Sequence, residues 1–372
     1  MGIRQRSLEI MEMNYAQLTT VYKGKKVLLT GHTGFKGSWL LGWLHQLGAI
    51  VKGYALAPLH KNDLYCLLNG DKLCESVIAD LRDGEKLLAV IKEFQPDFIF
   101  HLAAQPLVRR SYKTPAYTFE VNTGGAVNLL DALRSLEKKC TTVIITTDKV
   151  YENREINYAY QESDKLGGYD PYSASKAAAE IVVSSYRNSF FNPDTFNEHG
   201  KAVATARAGN VIGGGDRSED RIIPDIIRAF EKNEPIVVRN PKAVRPWQHV
   251  LEPIGGYLLL GAAMEKDPVA YSEAWNFGPN NDDVLTVREV VESAIKEWGS
   301  GSYETPSLSS QPHEAGLLKL DISKTVKRLD WKPKMNSSEA ISGTMRWYKQ
   351  VKTGQDAINF TYQQIAQYQE AQ

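Results

Sequence analysis

The sequence predicts an α/β fold in which a doubly wound parallel sheet is followed by a smaller C-terminal lobe. Short apolar, β-branched runs alternate with helix-like stretches over the first two-thirds of the 372 residues. Such alternation is typical of parallel strands joined by right-handed helical crossovers. The first of these runs leads into Gly31, Gly34 and Gly37, which are spaced three residues apart. A glycine-rich turn between the first strand and the first helix indicates the Rossmann-type form of this fold.

The predicted elements follow one another in a regular order. The first strand is expected at residues 27–30 and the first helix at 38–47. Further buried strands are expected at 50–54, 77–79, 98–102, 142–146 and 203–206, because each is a short apolar run of strand length. Parallel strands end at a common edge of the sheet, so ligands are expected beyond their carboxyl ends.

The composition of the chain changes near residue 210, where Gly213, Gly214 and Gly215 introduce shorter elements separated by prolines. The sequence predicts an N-terminal extension over 1–24, a Rossmann-type domain over 25–209, a smaller lobe over 210–350 and a helical tail over 351–372. One return crossover into the first domain is expected at 246–263. Helical patterns are expected at 286–298 and from 337 to the end.

Composition favours an ordinary globular protein and excludes several classes. Lys plus Arg and Asp plus Glu both total 44, and no basic run favours nucleic acid or an anionic membrane. The three cysteines have no Cys-x-x-Cys spacing, so we expect neither a disulfide framework nor a metal site, and a reducing cytoplasm is indicated. No signal peptide or membrane span is expected.

The glycine turn predicts a dinucleotide site, because the amides of a helix N-terminus can bind a pyrophosphate. The second strand ends in Gly53-Tyr54-Ala55, without the acid that usually binds the adenosine ribose. The absence of an arginine there argues against a 2′-phosphate and favours NAD. Asp80, after the third strand, is expected to contact the adenine, with a turn or cap role as the alternative.

Tyr172 and Lys176 form a Tyr-x-x-x-Lys pair, which on a helix places both side chains on one face. A phenol of pKa about 10 needs a shift of roughly three units to act as a base near neutrality. A lysine cation about 4 Å away, at an effective dielectric of ~20, supplies about the 4 kcal/mol required. The alternative is a solvated helix face, and only the rest of the chain favours the catalytic interpretation.

Several ordered motifs resemble those of the extended short-chain dehydrogenase/reductase superfamily, and within it the CDP-glucose 4,6-dehydratases. They span about residues 25 to 280 and occupy 29–39, 101–105, 146–151, the Tyr172 block, 207–216 and 245–250. The resemblance implies bound NAD and a redox-neutral reaction: hydride leaves carbon 4 of CDP-glucose, water is lost across carbons 5 and 6, and hydride returns at carbon 6. Another sugar dehydratase or epimerase and a non-catalytic dinucleotide sensor are the alternatives.

The resemblance also assigns catalytic roles. Tyr172 is the expected base at the 4-hydroxyl, with Lys176 lowering its pKa and binding the nicotinamide ribose. Thr147 is expected to bind the same hydroxyl, and Asp148 to act as the acid that expels water. Lys149 stands where the dTDP-glucose branch has glutamate, so the base at carbon 5 stays open. Lys149 could remove that proton if its pKa is depressed, or stabilise the enolate.

Further contacts follow from the same resemblance. The expected cofactor contacts are Gly31, Thr33, Gly34, Phe35, Lys36, Gly37, Asp80, Leu81, Leu102, Ala103, Ala104, Tyr172 and Lys176. The expected substrate contacts are Gln105, Arg109, Asn210, Arg221, Arg245 and His249, with a packed histidine and a surface Arg221 as alternatives. Asn122 is expected to be structural. A homodimer through a four-helix bundle and a role in deoxysugar and lipopolysaccharide synthesis are also implied.

Overall fold

The computed structural model describes residues 15–306 and 317–371. Most of the predicted N-terminal extension, residues 1–14, lies outside this range. The strands are β1 (Lys26–Thr30), β2 (Ile50–Ala55), β3 (Glu75–Ile78), β4 (Phe98–His101), β5 (Cys140–Ile145), β6 (Ala159–Tyr160), β7 (Lys201–Ala208), β8 (Asn210–Ile212), β9 (Ile236–Val237), β10 (Val244–Arg245), β11 (Trp247–His249), β12 (Ala274–Phe277), β13 (Leu285–Thr286), β14 (Tyr303–Glu304) and β15 (Lys319–Leu320).

The helices surround this framework. They are α1 (Leu18–Tyr22), α2 (Phe35–Gln46), α3 (Leu64–Leu67), α4 (Gly84–Phe94), α5 (Val108–Lys113), α6 (Pro115–Phe119), α7 (Gly125–Arg134), α8 (Pro171–Ser189), α9 (Phe196–His199), α10 (Ile222–Lys232), α11 (Leu251–Lys266), α12 (Pro268–Tyr271), α13 (Val287–Trp298), α14 (Ser323–Leu329), α15 (Ser337–Lys352) and α16 (Ala357–Glu370). A π-helical turn at Glu120–Gly124 joins α6 to α7. No described helix is long and apolar enough to cross a membrane.

The central sheet has seven parallel strands in the order β12-β7-β5-β4-β1-β2-β3. The predicted doubly wound fold is confirmed, and the six predicted strands all belong to this sheet. The sequence missed the seventh strand, β12, because its four residues are interrupted by a polar Asn276 and are followed by Gly278-Pro279. The strand order reverses between β1 and β4, and ligands bind at such a switch point.

Helix α11 is apolar on every side, as expected for a helix buried within the protein. It packs on β5, β7 and β12 and also touches α1 and α2. The chain therefore returns to the sheet over residues 251–277, beyond the 246–263 range that the sequence indicated. Tyr22 is fully buried and donates a hydrogen bond to the carbonyl of Leu258 at 2.7 Å, so the residues just before β1 pack against this helix.

Outside the central sheet, four two-stranded pairs build the remaining framework: β8 with β11, β10 with β13, β6 with β15 and β9 with β14. Helix α13 begins with a capping box in which Thr286 and Glu289 bind each other's backbone amides. The helical run predicted from 337 to the end is two helices. Gly354, with a φ of +92°, lies in the break between them, because glycine adopts this left-handed conformation most easily.

Candidate active site

A cavity of about 1340 Å³ opens at the carboxyl ends of the central strands. Its volume exceeds the roughly 300–1,000 Å³ of a typical small-ligand site, so it has room for two large ligands. Most of the predicted site residues line it: Gly31, Thr33, Gly34, Phe35, Lys36, Gly37, Asp80, Leu81, Leu102, Ala103, Ala104, Arg109, Thr147, Lys149, Tyr172, Lys176, Asn210, Arg221 and Arg245.

The glycine turn between β1 and α2 fits a closely bound phosphate group. Gly31 has a φ of +77°, and a Cβ there would lie 2.7 Å from the amide nitrogen of Ala103. A Cβ on Gly37 would overlap the carbonyl oxygen of Gly31. Gly34 is the N-cap of α2 and supplies no side-chain cap, so the first amides of the helix face the cavity without one. These features fit the pyrophosphate of NAD.

Lys36, in the first helical turn of α2, lines the cavity and has a lowered pKa. Its Nζ lies 3.4 Å from the hydroxyl of Tyr257 and donates a hydrogen bond to it. Burial, together with the positive charges of Arg221 and Lys176, lowers the pKa of Lys36 to about 7. The turn therefore brings a weakly charged amine to the same cavity as the Tyr-x-x-x-Lys pair.

The part of the cavity beyond the ends of β2 and β3 is where the adenosine of NAD is expected. The Thr33 hydroxyl donates to the carbonyl of Leu56 at 2.8 Å, beyond the end of β2. Asp80 lines the cavity, but its carboxylate accepts hydrogen bonds from the Arg82 guanidinium at 2.9 and 3.2 Å. These bonds keep the pKa of Asp80 below its usual value. The sequence lacks the acid that usually binds the adenosine ribose at the end of β2. Because the carboxylate of Asp80 is bound by Arg82, Asp80 does not supply a free carboxylate in its place.

Helix α8 presents Tyr172 and Lys176 to the cavity. It begins after Asp170, whose side chain accepts from the amide of Ser173, and Pro171 occupies its first position. Lys176 is 6% exposed, and its Nζ donates to the carbonyl of Ile145 at 3.1 Å. This bond fixes the lysine against the end of β5. Burial lowers the pKa of Lys176 to about 8, and the charge of Glu180 opposes that shift.

The electrostatics of Tyr172 differ from the sequence-based expectation. Burial raises the pKa of the Tyr172 hydroxyl. The largest opposing influence is the positive charge of Lys149, followed by a hydrogen bond with Thr147. Lys149 is thus the cation that lowers the pKa of Tyr172 most in the structure, and the predicted effect of Lys176 stays a prediction.

Thr147, Asp148 and Lys149 form a turn directly after β5. The Thr147 hydroxyl donates to Asp148 Oδ1 at 2.9 Å, and Lys149 Nζ donates to the same oxygen at 3.0 Å. Thr147 and Lys149 line the large cavity, whereas the buried Asp148 lines a small adjoining pocket together with Gly209 and Pro246. The three side chains are thus connected, and Asp148 reaches the large cavity through its two neighbours.

The family of this chain is decided by comparison with known proteins. Residues 28–344 match the model of the GDP-mannose 4,6 dehydratase family. The chain belongs to this family. It is 46% identical over 350 residues to CDP-glucose 4,6-dehydratase from Salmonella typhimurium, covering 94% of this chain and 98% of that protein. The predicted membership of the extended short-chain dehydrogenase/reductase superfamily is confirmed.

Two solved structures of dTDP-glucose 4,6-dehydratases share the fold. The enzyme from Streptomyces venezuelae, solved with NAD bound, has a TM-score of 0.74 at 22% identity and covers 90% of this chain and 99% of its own. The enzyme from Bacillus anthracis, also in complex with NAD, has a TM-score of 0.72 at 21% identity and covers 89% and 98%. At this identity the likeness supports the Rossmann-type fold of this family member.

Two predicted substrate contacts point away from the cavity. The buried Gln105 side chain binds Leu107 and the Thr118 hydroxyl, so it shapes the loop after β4. The buried His249 accepts from the amide of Leu251 and packs edge-on against Trp39. Burial lowers the pKa of His249 to about 3, so it is neutral near pH 7. Both side chains therefore have packing partners in the structure, and their contacts with the substrate stay predictions.

Asn122 connects the loop after β4 to helix α8. Its side chain accepts from the amide of Gln105 at 2.8 Å and donates to the hydroxyl of Ser175 at 2.9 Å. Ser175 in turn donates to the carbonyl of Tyr172 at 2.7 Å. The asparagine therefore fixes α8 relative to the loop after β4.

Several arginines line the large cavity. Arg109, Arg221 and Arg245 were predicted, and the sequence analysis missed Arg154 and Arg239, which also line the cavity. Arg239 lies 2.8 Å from Asp220 and 3.1 Å from Asp225. Arg239 follows the very short β9, and no sequence motif at this point of the chain indicates that it lies at the site. Guanidinium groups suit a diphosphate because they donate two parallel hydrogen bonds.

Proposed function

We propose that this chain is a CDP-glucose 4,6-dehydratase that uses NAD and releases CDP-4-keto-6-deoxy-D-glucose and water. The observation that carries the proposal is the contact between the Thr147-Asp148-Lys149 turn and Tyr172 within one cavity, in a chain 46% identical to an enzyme of that name. Residues 25–209 would hold NAD and residues 210–350 the nucleotide sugar. An oxidation alone requires only Tyr172 and Lys176. The loss of water also requires an acid and a base, which the carboxyl of Asp148 and the amine of Lys149 can supply.

The first step is an oxidation at carbon 4 of the glucose. NAD, when bound, supplies the hydride acceptor for carbon 4 and the hydride donor for carbon 6. Tyr172 accepts the proton of the 4-hydroxyl, and Thr147 orients that hydroxyl. The charges of Lys149 and Arg221 stabilise the ionised Tyr172, because both lower its pKa against the effect of burial. Lys176, fixed to the Ile145 carbonyl, is suited to bind the nicotinamide ribose.

The second step is loss of water across carbons 5 and 6. The 4-keto group acidifies the proton on carbon 5, which passes to a base as the carbon 6 hydroxyl leaves with a proton from an acid. Asp148 and Lys149 share one hydrogen bond. When its proton lies on Asp148, the pair offers a carboxylic acid and a neutral amine. Asp148 then protonates the leaving hydroxyl and Lys149 accepts the carbon 5 proton, which it returns as hydride reaches carbon 6.

A homodimer belongs to the same proposal. Ile181 on α8 is 59% exposed, Phe190 directly after α8 is 44% exposed, and Phe119 on α6 is 39% exposed. Large apolar side chains on neighbouring helices favour a protein–protein contact, and a four-helix bundle built from two copies would cover them. We place the enzyme in the cytoplasm, in the synthesis of lipopolysaccharide deoxysugars. Sedimentation of Ile181→Glu beside the unchanged chain tests the dimer.

The activity is tested by incubating the purified protein and NAD with CDP-, dTDP-, UDP- and GDP-glucose and measuring the alkali-induced absorbance of the 4-keto sugar. We expect absorbance with CDP-glucose alone. Formation from another donor only would contradict the base specificity. Absence of a product from all four would contradict dehydratase activity, and detection of a C4 epimer would then identify an epimerase.

A further inference from the structure

Glu180 is a buried carboxylate that the proposed mechanism does not yet use. It lies on α8 and is 4% exposed. One oxygen accepts from the Thr146 hydroxyl at 2.5 Å. The other accepts from the Thr205 hydroxyl and from Arg207 Nη2, both at 2.8 Å. A buried carboxylate is costly unless it is paired and hydrogen-bonded, and here both of its oxygens are bound.

The position of Glu180 connects it to the reacting groups. It follows Lys176 by four residues on the same helix, so the two side chains lie about one turn apart on one face. Thr146, which binds Glu180, is the residue between Ile145 and Thr147. Lys176 binds the carbonyl of Ile145. Lys176 and Glu180, on adjacent turns of α8, therefore bind Ile145 and Thr146. These are the two residues that precede the Thr147-Asp148-Lys149 turn.

We propose that Glu180 is a positioning residue that places a buried negative charge one turn of α8 from Lys176 and fixes this helix against the end of β5. This inference rests on the proposed function, since it assumes that Lys176 and Tyr172 act in the reaction. Arg207 offsets the cost of burying Glu180, and it lies on β7, which leads into the cavity-lining Gly209 and Asn210. The carboxylate thus joins the catalytic helix, the turn after β5 and the edge of the substrate site.

The charges around Lys176 explain why a buried anion is required there. Burial lowers the pKa of Lys176, and Glu180 is the negative charge that opposes this effect. Lys36 faces the same region and its charge is repelled by that of Lys176. His101 is neutral near pH 7, because burial and the charge of Lys176 lower its pKa to about 3.

Tyr172 and Lys149 line the same cavity as Lys176, and Lys149 is paired with the anion of Asp148. Without Glu180, the cations around Lys176 would have no anion on α8 to oppose them. Lys176 would then lose its proton at a lower pH. An activity that needs protonated Lys176 is lost as pH rises through its pKa, so the alkaline limb of the pH profile would move to lower pH.

The test compares Glu180→Gln, Glu180→Asp and Thr205→Val. Glu180→Gln removes the charge. We expect the alkaline limb of kcat/KM, and that of the NAD affinity measured by calorimetry, to move down by roughly one pH unit, the effect of losing one partly offset charge about one helical turn away at an effective dielectric of ~20. Glu180→Asp keeps the charge but is too short for all three partners, so kcat should fall while the limb stays. Thr205→Val should lower the melting temperature and leave the limb unchanged.

The inference would be overturned if the alkaline limb lay at the same pH in Glu180→Gln and in the unchanged chain, both for kcat/KM and for NAD affinity. If Glu180→Gln does not fold because Arg207 is left unpaired, the double variant Glu180→Gln/Arg207→Gln is compared with Arg207→Gln, so that the two chains differ only in the charge of Glu180. An unchanged chain without dehydratase activity would contradict the proposed function instead. The pH dependence of NAD affinity would still decide whether Glu180 controls Lys176.

Discussion

Lys149 Nζ lies 3.0 Å from Oδ1 of Asp148, the residue that precedes it in the chain. The Thr147 hydroxyl donates to the same oxygen at 2.9 Å. The Asp148 side chain is 2% exposed and that of Lys149 is 25% exposed. An acid and an amine are therefore held together at the edge of the cavity, the acid buried and the amine accessible to a ligand.

In the proposed mechanism, this contact lets one proton serve two steps. With the proton on Lys149, the pair is a carboxylate and an ammonium, and the ammonium stabilises an ionised Tyr172. With the proton on Asp148, the same pair is an acid and a base. Because the total charge is equal in both forms, the transfer between them needs no proton from solvent. The contact thus joins the oxidation at carbon 4 to the loss of water.

Lys149→Met tests this double role. We expect turnover to fall by roughly 10²–10⁴-fold, the usual contribution of a positioned acid or base. The acid limb of the residual activity should move to higher pH, because loss of the Lys149 cation raises the pKa of Tyr172 further and activity appears only as the phenol ionises. Turnover measured across pH 6–10, with deuterium incorporation at carbon 5 in D₂O, checks both effects.

Lys165→Met is the matched control for that variant. Lys165 pairs with Glu152 at 2.9 Å, and its side chain is 76% exposed, so its contribution to stability is about 0–1 kcal/mol. Its pH profile should match that of the unchanged chain. A Lys149→Met variant with normal carbon 5 exchange and an unmoved acid limb would contradict the role of Lys149 at both steps.

Tyr172→Phe removes the proposed base at the 4-hydroxyl. We expect kcat to fall by roughly 10²–10⁴-fold, with little change in the KM for CDP-glucose, because the phenol acts mainly in the oxidation step. Tyr186→Phe on the same helix removes a hydroxyl that binds Asp131 at 3.2 Å and should keep full turnover. Steady-state assays of the 4-keto product compare the two, and full activity in Tyr172→Phe would contradict the mechanism.

Gly37→Ala tests the cofactor turn. The added methyl group would overlap the carbonyl oxygen of Gly31, so the turn must open and we expect NAD affinity to fall at least about tenfold, the equivalent of 1.4 kcal/mol. Gly124→Ala is the control, since nothing lies within 4 Å of its added Cβ. Calorimetric titration with NAD measures both. Equal affinities in the two variants would exclude a close approach of the cofactor to this turn.

The sequence predicted the turn at Gly31 to Gly37 and the Tyr172 helix because each is specified by neighbours along the chain. It missed β12, whose four residues become a strand only through pairing with β7. It did not indicate that Gln105 and His249 are packed outside the lining of the large cavity, since a motif gives the position of a residue and not the direction of its side chain. The electrostatic importance of Lys149 for Tyr172 also depends on how α8 packs against the turn after β5, which no local pattern specifies.

Arg221→Gln tests the diphosphate site. Arg221 lines the cavity, and its guanidinium lies 3.7 Å from the carboxylate of Asp216. This guanidinium can therefore bind a ligand in the cavity from its present position. A hydrogen bond to a charged group contributes about 1.5–3 kcal/mol, so the KM for CDP-glucose should rise roughly 10–100-fold while kcat changes less. The matched control is Arg217→Gln, because Arg217 pairs with Glu231 at 3.0 Å and should leave KM unchanged. Equal KM values in the two variants would remove Arg221 from the substrate site.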